Sequence, residues 1–171
     1  MAKKSNSDKT KQPPFETHQL RQELTEFFKN KVVVGEKAIE IGSFKWGAYA
    51  FYDYDGEPIY VGQTCEGLRT RIRRHLTNQR TDAVAMSVLD PFEVKDIEVW
   101  PLPEFQQIAN NNKEEKHLFD AAKAELNALE YMVFQGAVNS SEFGAVLNEN
   151  CLLYTSPSPR DRTRSRMPSS A

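Results

Sequence analysis

Hydrophobic and polar positions divide the chain into elements. Leu20, Leu24, Phe27 and Phe28 recur at helical spacing among polar neighbours, which predicts an amphipathic helix over residues 17–30. Val32, Val33 and Val34 follow as a short strand. Between Gly47 and Gly62 the pattern changes to aromatic, small and β-branched residues on either side of Asp55-Gly56, a strong hairpin signal. Leu68, Ile72 and Leu76 lie four apart and lay one apolar stripe along the next segment, so it reads as a helix packed on one side. A short helix is expected over residues 82–89, with Thr81 as its N-cap and Pro91 as its stop. Residues 92–102, rich in Val, Ile and Trp, read as a strand. The longest helix spans about residues 113–135, with Leu118, Ala122, Leu126, Leu129 and Val133 on one face and Gly136 past its end. There are no internal repeats.

Composition narrows the class. At 171 residues and 39% hydrophobic, the chain can bury one ordinary core, and the mixture of elements makes it α/β (α+β). No apolar run approaches the roughly 18 residues of a membrane span, and no apolar stretch follows the lysine-rich start as a signal sequence would require. Cys65 and Cys151 form neither a disulfide framework nor a metal-ligand spacing, which fits a reducing cytoplasm and speaks against zinc.

Four units are expected. Residues 1–14 form a disordered basic arm, 15–42 an N-terminal helix and short strand, 43–150 the main domain, and 151–171 a disordered tail. The stretch from Leu152 to Ala171 is dominated by Ser, Pro and Arg without periodicity, and resembles the translation of a sequencing adapter, so it is expected to be non-native with the true chain cut near Asn150.

Charge is uneven beneath the formal total of -2. The arm carries Lys3, Lys4, Lys9 and Lys11 against Asp8, and the tail carries Arg160, Arg162, Arg164 and Arg166 against Asp161. The middle is therefore acidic, yet Arg69, Arg71, Arg73, Arg74 and Arg80 cluster where no carboxylate lies between Gly67 and Thr81. Such a segment is the first place to look for a polyanion site.

The hairpin and this helix hold the candidate chemistry. With Asp55-Gly56 as a two-residue loop, Tyr54 pairs with Glu57, Phe51 with Tyr60 and Tyr49 with Gly62. Tyr49, Phe51 and Tyr60 then share one face, the two tyrosines diagonal neighbours roughly 7 Å apart. Any even-length loop on this centre keeps that parity. Gly62 permits close approach at the strand end, and Gln63 and Thr64 follow as polar groups at its mouth. Arg71 and His75, four apart, flank the apolar stripe at the boundary of buried and solvated surface, where a guanidinium can fork onto two phosphate oxygens. Arg69, Arg73, Arg74 and Arg80 form a basic face for backbone phosphates, a pattern that serves solubility equally well. Glu130 sits at the edge of the long helix's apolar stripe. A carboxylate there is usually a surface residue, or else a hard oxygen ligand for Mg²⁺.

Gly47-Ala48-Tyr49 and Tyr60-Val61-Gly62, followed by Leu68-x-x-Arg71-x-x-x-His75 and a later helical Glu130, resemble in order and spacing the GIY-YIG nucleases. Ala48 stands where the family name has Ile. The resemblance implies a small three-stranded antiparallel sheet flanked by helices, made of the hairpin and the region of Ile97 to Leu102. It also implies a metal-dependent DNA endonuclease: Tyr49 orients or deprotonates the attacking water, Tyr60 supports it, Arg71 holds the phosphate, His75 assists at the phosphate or in proton transfer, and Glu130 binds one Mg²⁺ or Mn²⁺ per active site. Asn148, or else Asn150, completes the site. DNA is the implied partner, no membrane is, and a homodimer is allowed. A restriction, phage or mobile-element, or repair role stays open. Two other readings stand beside it: a GIY-YIG-like module that holds nucleic acid without cutting it, and a structural domain with two coincidental tyrosine triplets.

Overall fold

The computed structural model describes residues 15–77, 89–108, 116–144 and 146–148. Helix α1 (Phe15–Lys29) leads into a two-stranded hairpin of β1 (Lys31–Val34) and β2 (Lys37–Glu40). Strands β3 (Gly47–Tyr52) and β4 (Pro58–Thr64), helix α2 (Leu68–Thr77), strand β5 (Asp96–Pro101), helix α3 (Lys116–Ser140) and the two-residue strand β6 (Leu147–Asn148) follow. The central sheet runs β5-β3-β4-β6. It has four strands where three were expected. Its three antiparallel strands are the expected ones, and the fourth is β6, which pairs parallel to β4 through Tyr60 to Leu147 and Val61 to Asn148. Two residues carry too little pattern to announce a strand.

The β1/β2 hairpin also exceeds the single expected strand. Gly35, at φ 61, opens a two-residue loop between Val34 and Lys37, a left-handed conformation that glycine adopts without strain.

The main hairpin keeps the expected parity but not the expected tip. Phe51 faces Tyr60 and Tyr49 faces Gly62, whereas Tyr52 faces Pro58, one residue out of step with the pairs before it. The extra residue enters because Asp53 organises the turn. Its Oδ1 accepts from the backbone N–H of Asp55 and of Glu57, both at 2.9 Å, so Tyr54 and Glu57 do not pair.

Alternation along β3 and β4 sorts the core between two helical layers. Tyr49, Phe51 and Tyr60 face the α1/α2 side, with Leu24, Phe28, Leu68, Ile72 and Leu76. Ala50 and Val61 face α3 and meet Ala137, while Trp46 packs with Ala122 and Leu126. A free 15-residue helix is marginal in water, but burying Leu24 and Phe28 contributes about 1.5–3 kcal/mol each and holds α1 in place. Residues 15–42 thus share the core of the main domain.

Three other expectations shift. Strand β5 begins at Asp96 rather than 92, because Pro91–Glu93 form a 3₁₀ turn in which the Asp90 carboxylate accepts from the N–H of Phe92. Helix α3 runs through Gly136 to Ser140. An exposed helical glycine costs about 0.5–1 kcal/mol, and the burial of Ala137 one residue later offsets it. Leu118 is exposed, so the buried stripe of α3 is Ala122, Leu126, Glu130 and Ala137. The short helix expected over residues 82–89, the arm, the tail, Arg80, Asn150 and Cys151 lie outside the described residues.

Candidate active site

Tyr49 and Tyr60 leave adjacent strands on one face, and their rings stack at 6.1 Å between centroids. Neither has exposed surface. His75 enters from α2 and closes the group, its ring 5.0 Å from that of Tyr60 and 5.6 Å from that of Tyr49. The hydroxyl of Tyr49 and Nε2 of His75 are 2.6 Å apart. His75 was expected at the buried boundary and is in fact 5% exposed. Its place follows from helix geometry: with Leu68, Ile72 and Leu76 turned inward, position 75 lies on the same wide apolar face.

Gly62 permits this contact. A Cβ there would stand 2.8 Å from the Tyr49 hydroxyl oxygen, 2.9 Å from its Cζ and 2.8 Å from Cε1 of Tyr60. The close approach expected at Gly62 is therefore made by Tyr49 itself, whose ring crosses the neighbouring strand to reach His75.

The turn from β4 into α2 is built by Thr64 and Gly67. Thr64 is 5% exposed, and its hydroxyl accepts from the N–H of Glu66 at 3.1 Å and of Gly67 at 3.4 Å. Thr64 was expected as a polar group at the strand mouth; the structure turns it inward as a loop-forming residue. The carbonyl of Gly67 accepts the N–H of Arg71, which sets Arg71 in the first turn of α2, half-buried and one turn before His75.

The basic face is partly engaged. Arg69 lies over the ring of Phe28, 5.5 Å from its centroid, and 4.0 Å from a Glu40 carboxylate oxygen, so it ties α2 to α1 and the β1/β2 hairpin. Arg74 pairs with Glu66 at 3.7 Å. Arg73 is exposed.

On the opposite face of β4, α3 brings Glu130 into the middle of its buried stripe, at 1% exposure rather than at the expected edge. Packing alone would favour an aliphatic side chain there, since desolvating a carboxylate costs several kcal/mol. Asn148, the expected completing residue, pairs along β4 and points its amide at this carboxylate: Nδ2 donates to Glu130 Oε1 and to the Val61 carbonyl, each at 3.3 Å. Gln63 Nε2 donates to Asn127 Oδ1 at 2.8 Å, tying the end of β4 to α3 one turn before Glu130. Asn127 carried no sequence signal, because an exposed asparagine in a helix is unremarkable until its cross-chain partner is known.

Among the described residues, no group of three or more His, Cys, Asp or Glu gathers as a metal cage. A buried carboxylate beside an amide still suits a hard, oxygen-seeking divalent ion that takes one or two carboxylates and keeps its waters. Away from this site, burial and the Glu98 carboxylate that accepts from Tyr52 at 3.0 Å push the Tyr52 phenol up to about 12.

A small sheet lies between helical layers, with paired tyrosines and a histidine on one face of its central hairpin and an arginine one turn before that histidine. Residues 45–127 match the family model of the GIY-YIG catalytic domain, which supports placing that stretch of the chain with the GIY-YIG nucleases. No curated protein and no solved structure matches the chain. The matched span includes Tyr49, Tyr60, Arg71 and His75 and stops short of Glu130 and Asn148, which meet each other on the opposite face of β4. Among the described residues, no helix is long and apolar enough to cross a membrane.

Proposed function

We propose that the protein is a divalent-metal-dependent DNA endonuclease that hydrolyses phosphodiester bonds and leaves a 5′-phosphate. The observation that carries this reading is the 2.6 Å contact between the Tyr49 hydroxyl and His75 Nε2 inside an aromatic enclosure. A phenol is a weak base while it holds its proton, because its reference pKa is near 10. Transfer of that proton to Nε2 leaves a phenolate, which takes a proton from the attacking water as its oxygen bonds to phosphorus and the 3′-oxygen departs. Tyr49 has no exposed surface, so this scheme requires the enclosure to open to water when the phosphodiester docks.

Arg71 would fork onto the non-bridging oxygens, where negative charge grows in the transition state. Glu130 would hold one Mg²⁺ or Mn²⁺, with Asn148 orienting its carboxylate. When bound, the ion supplies electrostatic stabilisation of the phosphate and leaving oxygens. Arg73 and the polar end of β4 at Gln63 would contact backbone phosphates for affinity, which makes binding salt-dependent.

A second reading, a domain that holds nucleic acid without cutting it, draws on the complete burial of both tyrosines. Incubating supercoiled plasmid with the full chain separates the two. Nicked product with 5′-phosphate ends in Mg²⁺ or Mn²⁺, and none in EDTA, supports hydrolysis. Retarded but intact plasmid under all metals supports the binding module.

A further inference from the structure

Strand β6 is only two residues long, yet it carries Asn148 to Glu130. A parallel pairing of that length needs an outside anchor, and the hairpin tip provides one. The Glu57 carboxylate accepts from the Ser141 hydroxyl at 2.7 Å and, through both oxygens, from the N–H of Glu142 at 3.0 and 3.1 Å. Ser141 Oγ in turn accepts from the N–H of Phe143 at 3.2 Å and of Gly144 at 2.9 Å, which fixes the chain as it leaves α3. Glu57 is itself held by Asp53, whose Oδ1 accepts the N–H of Glu57 at 2.9 Å. Gly144, at φ 63, redirects the backbone toward β6.

We propose that Glu57 is a positioning residue for the metal-binding half of the site: it latches residues 141–144 to the hairpin tip and thereby sets Asn148 against Glu130. The proposal rests on the nuclease reading. Its physical basis is tether length. From the end of α3 at Ser140, Asn148 lies eight residues away; from the latched Gly144 it lies four. Doubling a flexible tether lowers the local concentration of its end about threefold. Loss of the latch also frees the turn at Ser141. Glu57 touches neither substrate nor metal in this scheme and acts through Asn148.

The test uses the full chain with Glu57→Ala, Glu57→Gln and Asn148→Ala, and the double variant Glu57→Ala/Asn148→Ala. Mn²⁺ affinity is read by calorimetry, plasmid cleavage by rate, and the amides of residues 146–148 by hydrogen exchange. Glu57→Ala is expected to weaken Mn²⁺ binding and cleavage about threefold or more and to speed exchange at 146–148. Glu57→Gln, which keeps one acceptor oxygen, should fall between Glu57→Ala and the parent. In the Asn148→Ala background, Glu57→Ala should add no further loss. An equal loss in both backgrounds, or unchanged Mn²⁺ affinity and exchange in Glu57→Ala, overturns the latch. If the parent protein neither cleaves DNA nor binds Mn²⁺, the nuclease reading fails on its own, and exchange at 146–148 still decides whether Glu57 holds β6.

Discussion

The Tyr49 hydroxyl lies 2.6 Å from His75 Nε2 and joins the middle of the central sheet to helix α2 across a space that Gly62 leaves free. If that contact moves the proton, the two residues act as one unit. Tyr49→Phe and His75→Ala are each expected to lower the cleavage rate on the order of 10²–10⁴-fold, and the double variant should be little worse than the poorer single one. Independent roles would instead multiply the two losses. Thermal unfolding of each variant checks that the fold survives, with a cost of about 1–3 kcal/mol for removing one side of a buried hydrogen bond.

Gly62 and Gly136 are expected to respond in opposite directions to alanine. At Gly62 the new methyl meets the Tyr49 ring and hydroxyl and the Tyr60 ring at 2.8–2.9 Å, so both rings must shift. Gly62→Ala should cost about 1–3 kcal/mol in stability and abolish the Tyr49–His75 contact and cleavage with it. At Gly136 nothing lies within 4 Å of the added methyl, and the position is helical. Gly136→Ala should stabilise by about 0.5–1 kcal/mol with unchanged cleavage, as read by denaturant unfolding and plasmid assay.

On the proposed function, Glu130 would supply the charge that holds the metal ion and Asn148 would orient that carboxylate. Glu130→Gln keeps the shape and loses the charge, and Mn²⁺ binding by calorimetry should disappear. Asn148→Ala removes the amide that donates to Oε1 and should weaken Mn²⁺ binding or cleavage by about 10–100-fold, a loss that higher Mn²⁺ partly restores.

The arginines of α2 separate by what they touch. Arg69 covers Phe28 and faces Glu40, so Arg69→Ala should lower stability by about 0.5–1 kcal/mol and leave the salt dependence of DNA binding unchanged. Arg73 is exposed, and Arg73→Ala should change stability by less than about 0.5 kcal/mol while reducing the slope of log K against log salt by about 1. Fluorescence titrations at several salt concentrations measure both slopes.

How much of this could be read from the chain depends on the range of each interaction. The facing of Tyr49 with Gly62 and of Phe51 with Tyr60 followed from alternation, which a one-residue irregularity at Tyr52 left intact. The faces of α1 and α2 followed from Leu and Phe spacing. The depth of Glu130 did not, because an acidic residue beside Leu129 reads as surface until Leu118 is found exposed and the stripe turns toward Leu126 and Ala137. Arg69 and Arg73 look alike in sequence, and only Phe28, forty-one positions before Arg69, tells them apart. The Glu57 latch spans 84 residues to Ser141 and joins two loops with no periodicity, so no local pattern announces it. Strand β6 escaped notice for the same reason.

The central claim is that Tyr49 and Glu130 are both needed for DNA hydrolysis. Plasmid nicking in Mg²⁺ by the parent chain, Tyr49→Phe and Glu130→Ala, run side by side at equal folded concentration, tests it most directly. The account predicts nicking by the parent and a loss of at least about 10²-fold in both variants. Full activity in Tyr49→Phe and Glu130→Ala would contradict it.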